Sequence, residues 1–217
     1  MEPTPGGRGG PRRIRIFRRL GDAAEILGVT AFLALALKTF VVDAVHVPSA
    51  SMENTLLVGD FVLVNKFVYG PCTPRFFPIL GIRLPVLRLP APGSPARGDV
   101  IVFYAPDSPL PRLYIKRLAA LPGDTVMIRA GELMLNSHKV AAPASAKPAR
   151  PTAPDFGPVV VPPGRCFVLG DNLDDSMDSR TWGYVPFDRI IGRAMAVYWS
   201  VDDRTGIRWK RPGTVVR

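Results

Sequence analysis

A basic tail running into an apolar stretch constrains this chain more than any other feature. Arg8, Arg12, Arg13, Arg15, Arg18 and Arg19 precede it, Glu2 is the only acid among residues 1–19, and the twelve residues from Ile26 to Leu37 carry no charge. Twelve is short of the roughly 20 residues a helix needs to cross a bilayer. The apolar pattern resumes after Lys38 through Thr39-Phe40-Val41-Val42, and a lysine near a helix end can extend its amine to the interface. The pattern therefore predicts one transmembrane helix over residues 20–42. Residues 1–19 are then a basic cytoplasmic tail and residues 43–217 an extracytoplasmic domain, because arginines flanking a first span stay inside. A cleavable secretory signal is the rival reading, since a short apolar core and Ala34-Leu35-Ala36 fit one as well. The lack of Pro or Gly from Val29 to Val42 favours a retained anchor.

The net charge of +10 raises the question of nucleic acid. About half of the excess sits in the tail, and no helix-turn-helix, zinc-finger or RNA-binding signature appears, so nucleic acid is not an expected partner. Cys72, Cys166, His46 and His138 lie too far apart for metal-ligand spacing, and neither metal nor cofactor is expected. A Cys72–Cys166 disulfide is conceivable outside the cytoplasm. The preferred reading is a buried Cys166 in an apolar strand and an unpaired Cys72 in a loop.

Beyond the anchor the pattern is mainly β. Asp60–Tyr69, Asp99–Tyr104, Leu113–Leu118, Thr125–Arg129 and Ile190–Ser200 are rich in Val, Ile, Phe and Tyr. Pro122-Gly123-Asp124 and Ala130-Gly131-Glu132 read as turns, the second leading into Leu133-Met134-Leu135. Short strands between Gly and Pro turns predict antiparallel sheets folded into a barrel-like domain. Of 24 prolines, seven fall from Pro71 to Pro95 and seven from Pro143 to Pro163. Residues 71–97 and 141–163 therefore read as insertions, since proline removes a ladder donor. The first contains Arg75–Leu80 and Leu84–Leu89, too apolar for a solvated loop, and reads as a hairpin that packs on the domain or touches lipid. Ala141–Pro158 reads as flexible.

Four segments carry candidate chemistry. Val47-Pro48-Ser49-Ala50-Ser51-Met52 is a tight turn able to expose a hydroxyl. Serine needs a base at neutral pH. His46 enters on the strand leading to the turn and His138 sits in a polar hairpin, so neither is well placed. Tyr114-Ile115-Lys116-Arg117-Leu118 offers a lysine instead. On a strand Tyr114, Lys116 and Leu118 share a face, and desolvation by such neighbours lowers a lysine pKa toward a usable base. Gly59–Lys66 reads as a core strand whose Lys66 is the weaker alternative. Gly170-Asp171-Asn172-Leu173-Asp174-Asp175-Ser176-Met177-Asp178-Ser179-Arg180 is acid-rich, but a calcium loop from Asp174 would need glycine at Ser179 and a carboxylate at Val185. An organising loop held by an Asp178–Arg180 or Asp178–Arg117 ion pair fits better.

These four segments, in this order behind an apolar anchor, resemble the bacterial type I signal peptidases over about Leu20–Tyr69, Arg97–Asp124 and Val159–Trp199. The resemblance implies a serine endopeptidase of the fold shared with self-cleaving SOS repressors, removing signal peptides from secretory preproteins after A-x-A-like residues at the outer face of the cytoplasmic membrane. By it Ser51 is the nucleophile and Lys116 the base, Ser49 assists the oxyanion and Ser176 orients the lysine. Asp178, Arg180 and Arg117 support the site, and Val45, Val47, Met52, Leu56 and Ile115 line pockets for small side chains. Asn54 stands where the family often has proline, and Ala50 where it often has glycine. A specialised processing peptidase of the same family, a self-cleaving repressor and an inactive binding module remain as rivals. The anchor disfavours the repressor, and intact Ser51 and Lys116 disfavour the binding module.

Overall fold

The computed structural model describes residues 11–70, 76–77, 82–83, 89–106, 108, 112–141 and 154–217, with backbone alone for 11–21, 76–77 and 82–83. It divides into two units, residues 1–38 and 39–217.

The described residues of the first unit are helical. α1 (Pro11–Phe40) opens on a proline, whose fixed φ and missing N–H suit a first helical position. Its part from Asp22 to Phe40 is 19 residues long and apolar enough to cross a membrane. Leu27, Phe32 and Leu35 are each more than 60% exposed, a surface that water does not tolerate and lipid does. The helix stops at Phe40, and Val42 already belongs to a strand. Val41 forms a turn, and β-branched Val42 enters sheet pairing.

The second unit is antiparallel β. Its strands are β1 (Val42–His46), β2 (Asp60–Asn65), β3 (Phe76–Phe77), β4 (Ile82–Arg83), β5 (Val100–Tyr104), β6 (Leu113–Ala120), β7 (Thr125–Arg129), β8 (Glu132–Leu135), β9 (His138–Lys139), β10 (Phe156–Val160) and β11 (Arg165–Leu169). A one-turn helix, α2 (Ser179–Trp182), and three strands, β12 (Val185–Pro186), β13 (Ile190–Asp202) and β14 (Gly206–Ile207), follow. The main sheet runs β1-β2-β13-β5-β6-β11-β12, with β14 on β13. A second sheet runs β10-β7-β8-β9, and β3 pairs with β4. Long β13 serves both β2 and β5, and register shifts at Ile190/Gly192, Ala194/Ala196 and Val197/Trp199 bend it between them.

Apolar alternation explains the layers. Val62 and Val64 of β2 are fully buried while Phe61, Leu63 and Asn65 are not. β5 is buried through Val100, Ile101, Val102 and Phe103, on both faces, as a strand covered on both sides must be. Five expected strands appear, though Asp60–Tyr69 ends early in a 3₁₀ turn, Phe67–Tyr69. The Ala130-Gly131 turn forms with both residues at positive φ, pairing Arg129 with Glu132, as a two-residue hairpin requires. β1 and β11 are the strand leading into the Ser51 turn and the apolar strand of Cys166, while β10, β12 and β14 lie outside the strands read from sequence. Cys166 is free and fully buried in β11. Cys72, the apolar hairpin reading over Arg75–Leu89 apart from four backbone positions and Leu89, and residues 142–153 of the flexible segment lie outside the described residues.

Gly59 closes the loop before β2 at φ +87, and a Cβ there would sit 1.8 Å from the carbonyl oxygen of Val201. Gly59→Ala is therefore expected to lose about 2–4 kcal/mol of stability through strain and forced separation of backbones. Urea unfolding of parent and variant measures it.

Candidate active site

The Ser51 turn is built by its apolar neighbours. Ser49 is extended (φ −137, ψ 157) and leads into a 3₁₀ turn, Ala50–Met52. Met52 is 1% and Leu56 0% exposed, and their burial pins the turn to the main core. The N–H of Glu53 bonds the Ala50 carbonyl at 2.9 Å, and that of Leu56 bonds the Met52 carbonyl at 2.7 Å. Ser51 itself is buried, with its Oγ 3.3 Å from Ser49 Oγ. Asn54 sits at φ +78, a conformation asparagine tolerates and proline, locked near −65°, cannot reach. The chain therefore takes this corner along a route that proline would forbid.

Lys116 approaches from the middle of the sheet. β6 is flanked by β5 and β11, and Ile101 is the partner of Lys116 across the pair. Lys116 is 5% exposed, and its Nζ lies 2.5 Å from Ser51 Oγ and 5.8 Å from the Tyr114 ring centroid. Burial lowers its pKa from 10.5 to about 8, against the opposing pull of Asp178, Asp171 and Asp175. Such an amine is neutral in a useful fraction of molecules near neutrality and can take a hydroxyl proton. Lys66, the weaker alternative, instead pairs with Asp43 at 3.2 Å. His46 is exposed, its ring 4.9 Å from that of Phe61, and His138 is exposed in the β8–β9 hairpin.

The loop after β11 packs against the turn. The N–H of Asn172 donates to the Ser51 carbonyl at 3.1 Å, and its side-chain amide donates to the Ala50 carbonyl at 3.2 Å. Asp178, fully buried, caps α2 and receives both the Gly170 N–H and the Arg180 guanidinium, which also donates to the Leu173 carbonyl at 2.7 Å. A Cβ placed on Gly170 would lie 2.2 Å from Ser176 Oγ and 2.5 Å from the Ser51 carbonyl oxygen. Ser176 is thus packed at the turn, where its buried hydroxyl has no hydrogen-bond partner among the described residues, Lys116 included.

Of the two ion pairs expected as alternatives for Asp178, the one with Arg180 forms. Arg117 instead pairs with Asp171, through Nε at 2.7 Å and Nη2 at 2.6 Å. Asp171 also accepts from Thr55 Oγ1 at 2.5 Å. Thr55 and Asp171 had no role in the sequence reading. The signal available was proximity in the chain, since each lies within five residues of a candidate already named. Arg117 and Asp171 are both nearly fully buried, so Asp171→Asn is expected to lose about 3–5 kcal/mol by leaving the guanidinium uncompensated. Thermal unfolding checks it. Val45, Val47, Met52, Leu56 and Ile115 fall in one buried cluster with Val62, Val64 and Val100. Among the described residues no group of three or more His, Cys, Asp or Glu could hold a metal ion.

Comparison with known proteins decides the family. The family described as "Signal peptidase, peptidase S26" matches residues 20–199. The chain belongs to the signal peptidase family, peptidase S26. It is therefore a peptidase. Signal peptidase I of Leptolyngbya laminosa is 35% identical over 191 residues, covering 84% of this chain and 81% of the relative. Signal peptidase I of Pseudomonas fluorescens is 37% identical over 207 residues, covering 78% and 69% respectively. A crystal structure of a signal peptidase I from Enterococcus faecalis is 32% identical, with a TM-score of 0.40, over 46% of this chain and 96% of that one. Among signal peptidase family members, this chain has its Ser51 turn, its Lys116 strand and its Gly170–Arg180 loop within the matched residues, while the segment from 200 to 217 lies beyond them.

Proposed function

We propose that this peptidase removes signal peptides from secretory preproteins through a Ser51–Lys116 dyad. The observation that carries the reading is the 2.5 Å contact between Lys116 Nζ and Ser51 Oγ, with the amine held at a pKa of about 8. Neutral Lys116 takes the Ser51 proton as Oγ attacks the scissile carbonyl. The resulting ammonium then protonates the leaving amine, an acyl-enzyme forms, and Lys116 activates the water that releases it. The Ser51 N–H and the hydroxyl of the exposed Ser49 serve the oxyanion. Ser176 orients the amine once substrate excludes water. Asp178, Arg180 and Arg117 hold the loop and strand in place.

Val45, Val47, Met52, Leu56 and Ile115 provide an apolar lining, and their tight packing suits alanine-sized side chains at P1 and P3 better than large ones. Hydrolysis on this route calls for neither metal nor cofactor. α1 anchors the enzyme in the cytoplasmic membrane in a single pass with its arginines inside, and the catalytic unit lies on the outer side, where translocated preproteins emerge. The experiment uses the full chain in detergent with a preprotein bearing an Ala-x-Ala site. Cleavage directly after that site, identified by the new N-terminus, and none with Ser51→Ala, is the expected result. Equal cleavage by Ser51→Ala refutes the reading.

A further inference from the structure

Residues 208–217 lie beyond the stretch that matches the family, yet they pack back onto the catalytic core. Val197 and Met195 of β13 exchange backbone bonds with Gly213, Thr214 and Val216, and Ala196 forms a β-bridge with Val215. This places Arg211 against the far end of the Ser51 turn. Its Nη2 donates to Asp60 Oδ2 and, at 3.2 Å, to the carbonyl of Thr55, while Nε lies 3.3 Å from Asp60 Oδ1. Asp60 is fully buried and accepts the Leu57 N–H at 2.8 Å. Arg211 therefore closes the 51–60 loop from one side.

Thr55 connects that closure to the dyad. Its hydroxyl donates to Asp171 at 2.5 Å, and Asp171 is the bidentate partner of Arg117, the residue beside Lys116. Arg117 also donates through Nη2 to the backbone oxygen of Arg217 at 3.0 Å. One polar chain thus runs from the 208–217 segment through Thr55 and Asp171 to the strand of the base. All three segments that supply the dyad and its supporting loop meet at Thr55 and Asp171.

We propose that Arg211 is a positioning residue for peptide hydrolysis, acting through the Thr55 carbonyl and the Asp60 carboxylate to hold Ser51 at attack distance from Lys116. The inference rests on the dyad reading above. Lysine cannot replace the fork, because an ammonium reaches one acceptor well where the planar guanidinium reaches two. A small displacement of a nucleophile from its base is enough to lower turnover by orders of magnitude.

The test compares the full-length parent, Arg211→Lys, Arg211→Gln, Thr55→Val and the Thr55→Val/Arg211→Lys double variant in detergent, on the same preprotein. Thermal melts select variants folded at the assay temperature. Arg211→Lys is expected to lower kcat about tenfold to a hundredfold with KM within twofold, and Arg211→Gln to lower it further. The double variant is expected to lose less than the product of the single losses, since both residues act through one chain. Parent kcat in folded Arg211→Lys, effects that multiply fully, or failure of every Arg211 variant to fold overturns the proposal. An inactive parent, or an active Ser51→Ala, strikes the dyad reading instead.

Discussion

Lys116→Met is expected to abolish cleavage and, at neutral pH, to make the folded protein more stable. Loss of a dyad's base lowers kcat by about four to six orders of magnitude, a fall read directly from preprotein turnover. The stability gain follows from the pKa. The amine titrates at 10.5 in the open chain and at about 8 in its buried place. Below pH 8 both states carry the ammonium, but the folded one holds it out of water, which costs about 3 kcal/mol at 1.36 per unit. Between about pH 8 and 10.5 the unfolded chain binds a proton that the folded protein has shed, so parent stability rises with pH across that window. Methionine removes the burden at roughly conserved volume and forfeits one hydrogen bond of about 1 kcal/mol. A net gain of about 2 kcal/mol at pH 7, disappearing by about pH 10.5, is expected in urea titrations. In the parent, kcat/KM should climb with pH up to about 8 and level off above it. A Met variant less stable than the parent at pH 7, or a flat parent profile from pH 6 to 9, contradicts the assignment.

Gly170→Ala is the second large effect. The position needs no left-handed backbone, so the argument is one of space. The added methyl would meet Ser176 Oγ at 2.2 Å, the Ser51 carbonyl oxygen at 2.5 Å and Ser176 Cβ at 2.6 Å. All three belong to the turn and loop that meet at the dyad, and one of them is backbone. Relief requires the loop to withdraw, which loosens the Asn172 N–H bond to Ser51 and the Gly170 N–H bond to Asp178. Activity is expected to fall at least about a hundredfold, with about 1–3 kcal/mol of stability lost. A folded Gly170→Ala protein with parental kcat would show that the loop can shift without disturbing the nucleophile.

Much of this arrangement was legible in the residues. Ser51 and Lys116 stand out because an otherwise ordinary turn serine and strand lysine come with a glycine- and acid-rich loop, and the structure puts the pair in hydrogen-bond contact. Burial of Lys116 was anticipated from Tyr114 and Leu118, and Tyr114 does face the amine. What could not be read was the choice among acids. The loop offers Asp171, Asp174, Asp175 and Asp178 to one arginine. The pairing of Leu169 with Arg117 across β11 and β6 selects Asp171 two residues on. Register is a tertiary property and leaves no mark on composition. Strand alternation turns Arg117 to the face opposite Lys116, and that face is also buried, because β6 is an interior strand. Arg211 was invisible for the same reason: only the return of residues 208–217 onto β13 brings it to Thr55.

The meeting at Thr55 and Asp171 of segments 51–60, 116–117 and 171–172 sets an order of events during biosynthesis. A chain leaving the ribosome N-terminus first delivers Ser51 early and Asp171 more than a hundred residues later. Until β11 has docked on β6, Lys116 has no buried environment to shed its proton, and its ammonium in water is no base. On the proposed dyad, Ser51 therefore stays inert while the chain is incomplete. Proteolytic power would then appear only with completion of the β-domain, so an unfinished copy of this peptidase would not cleave itself or its surroundings.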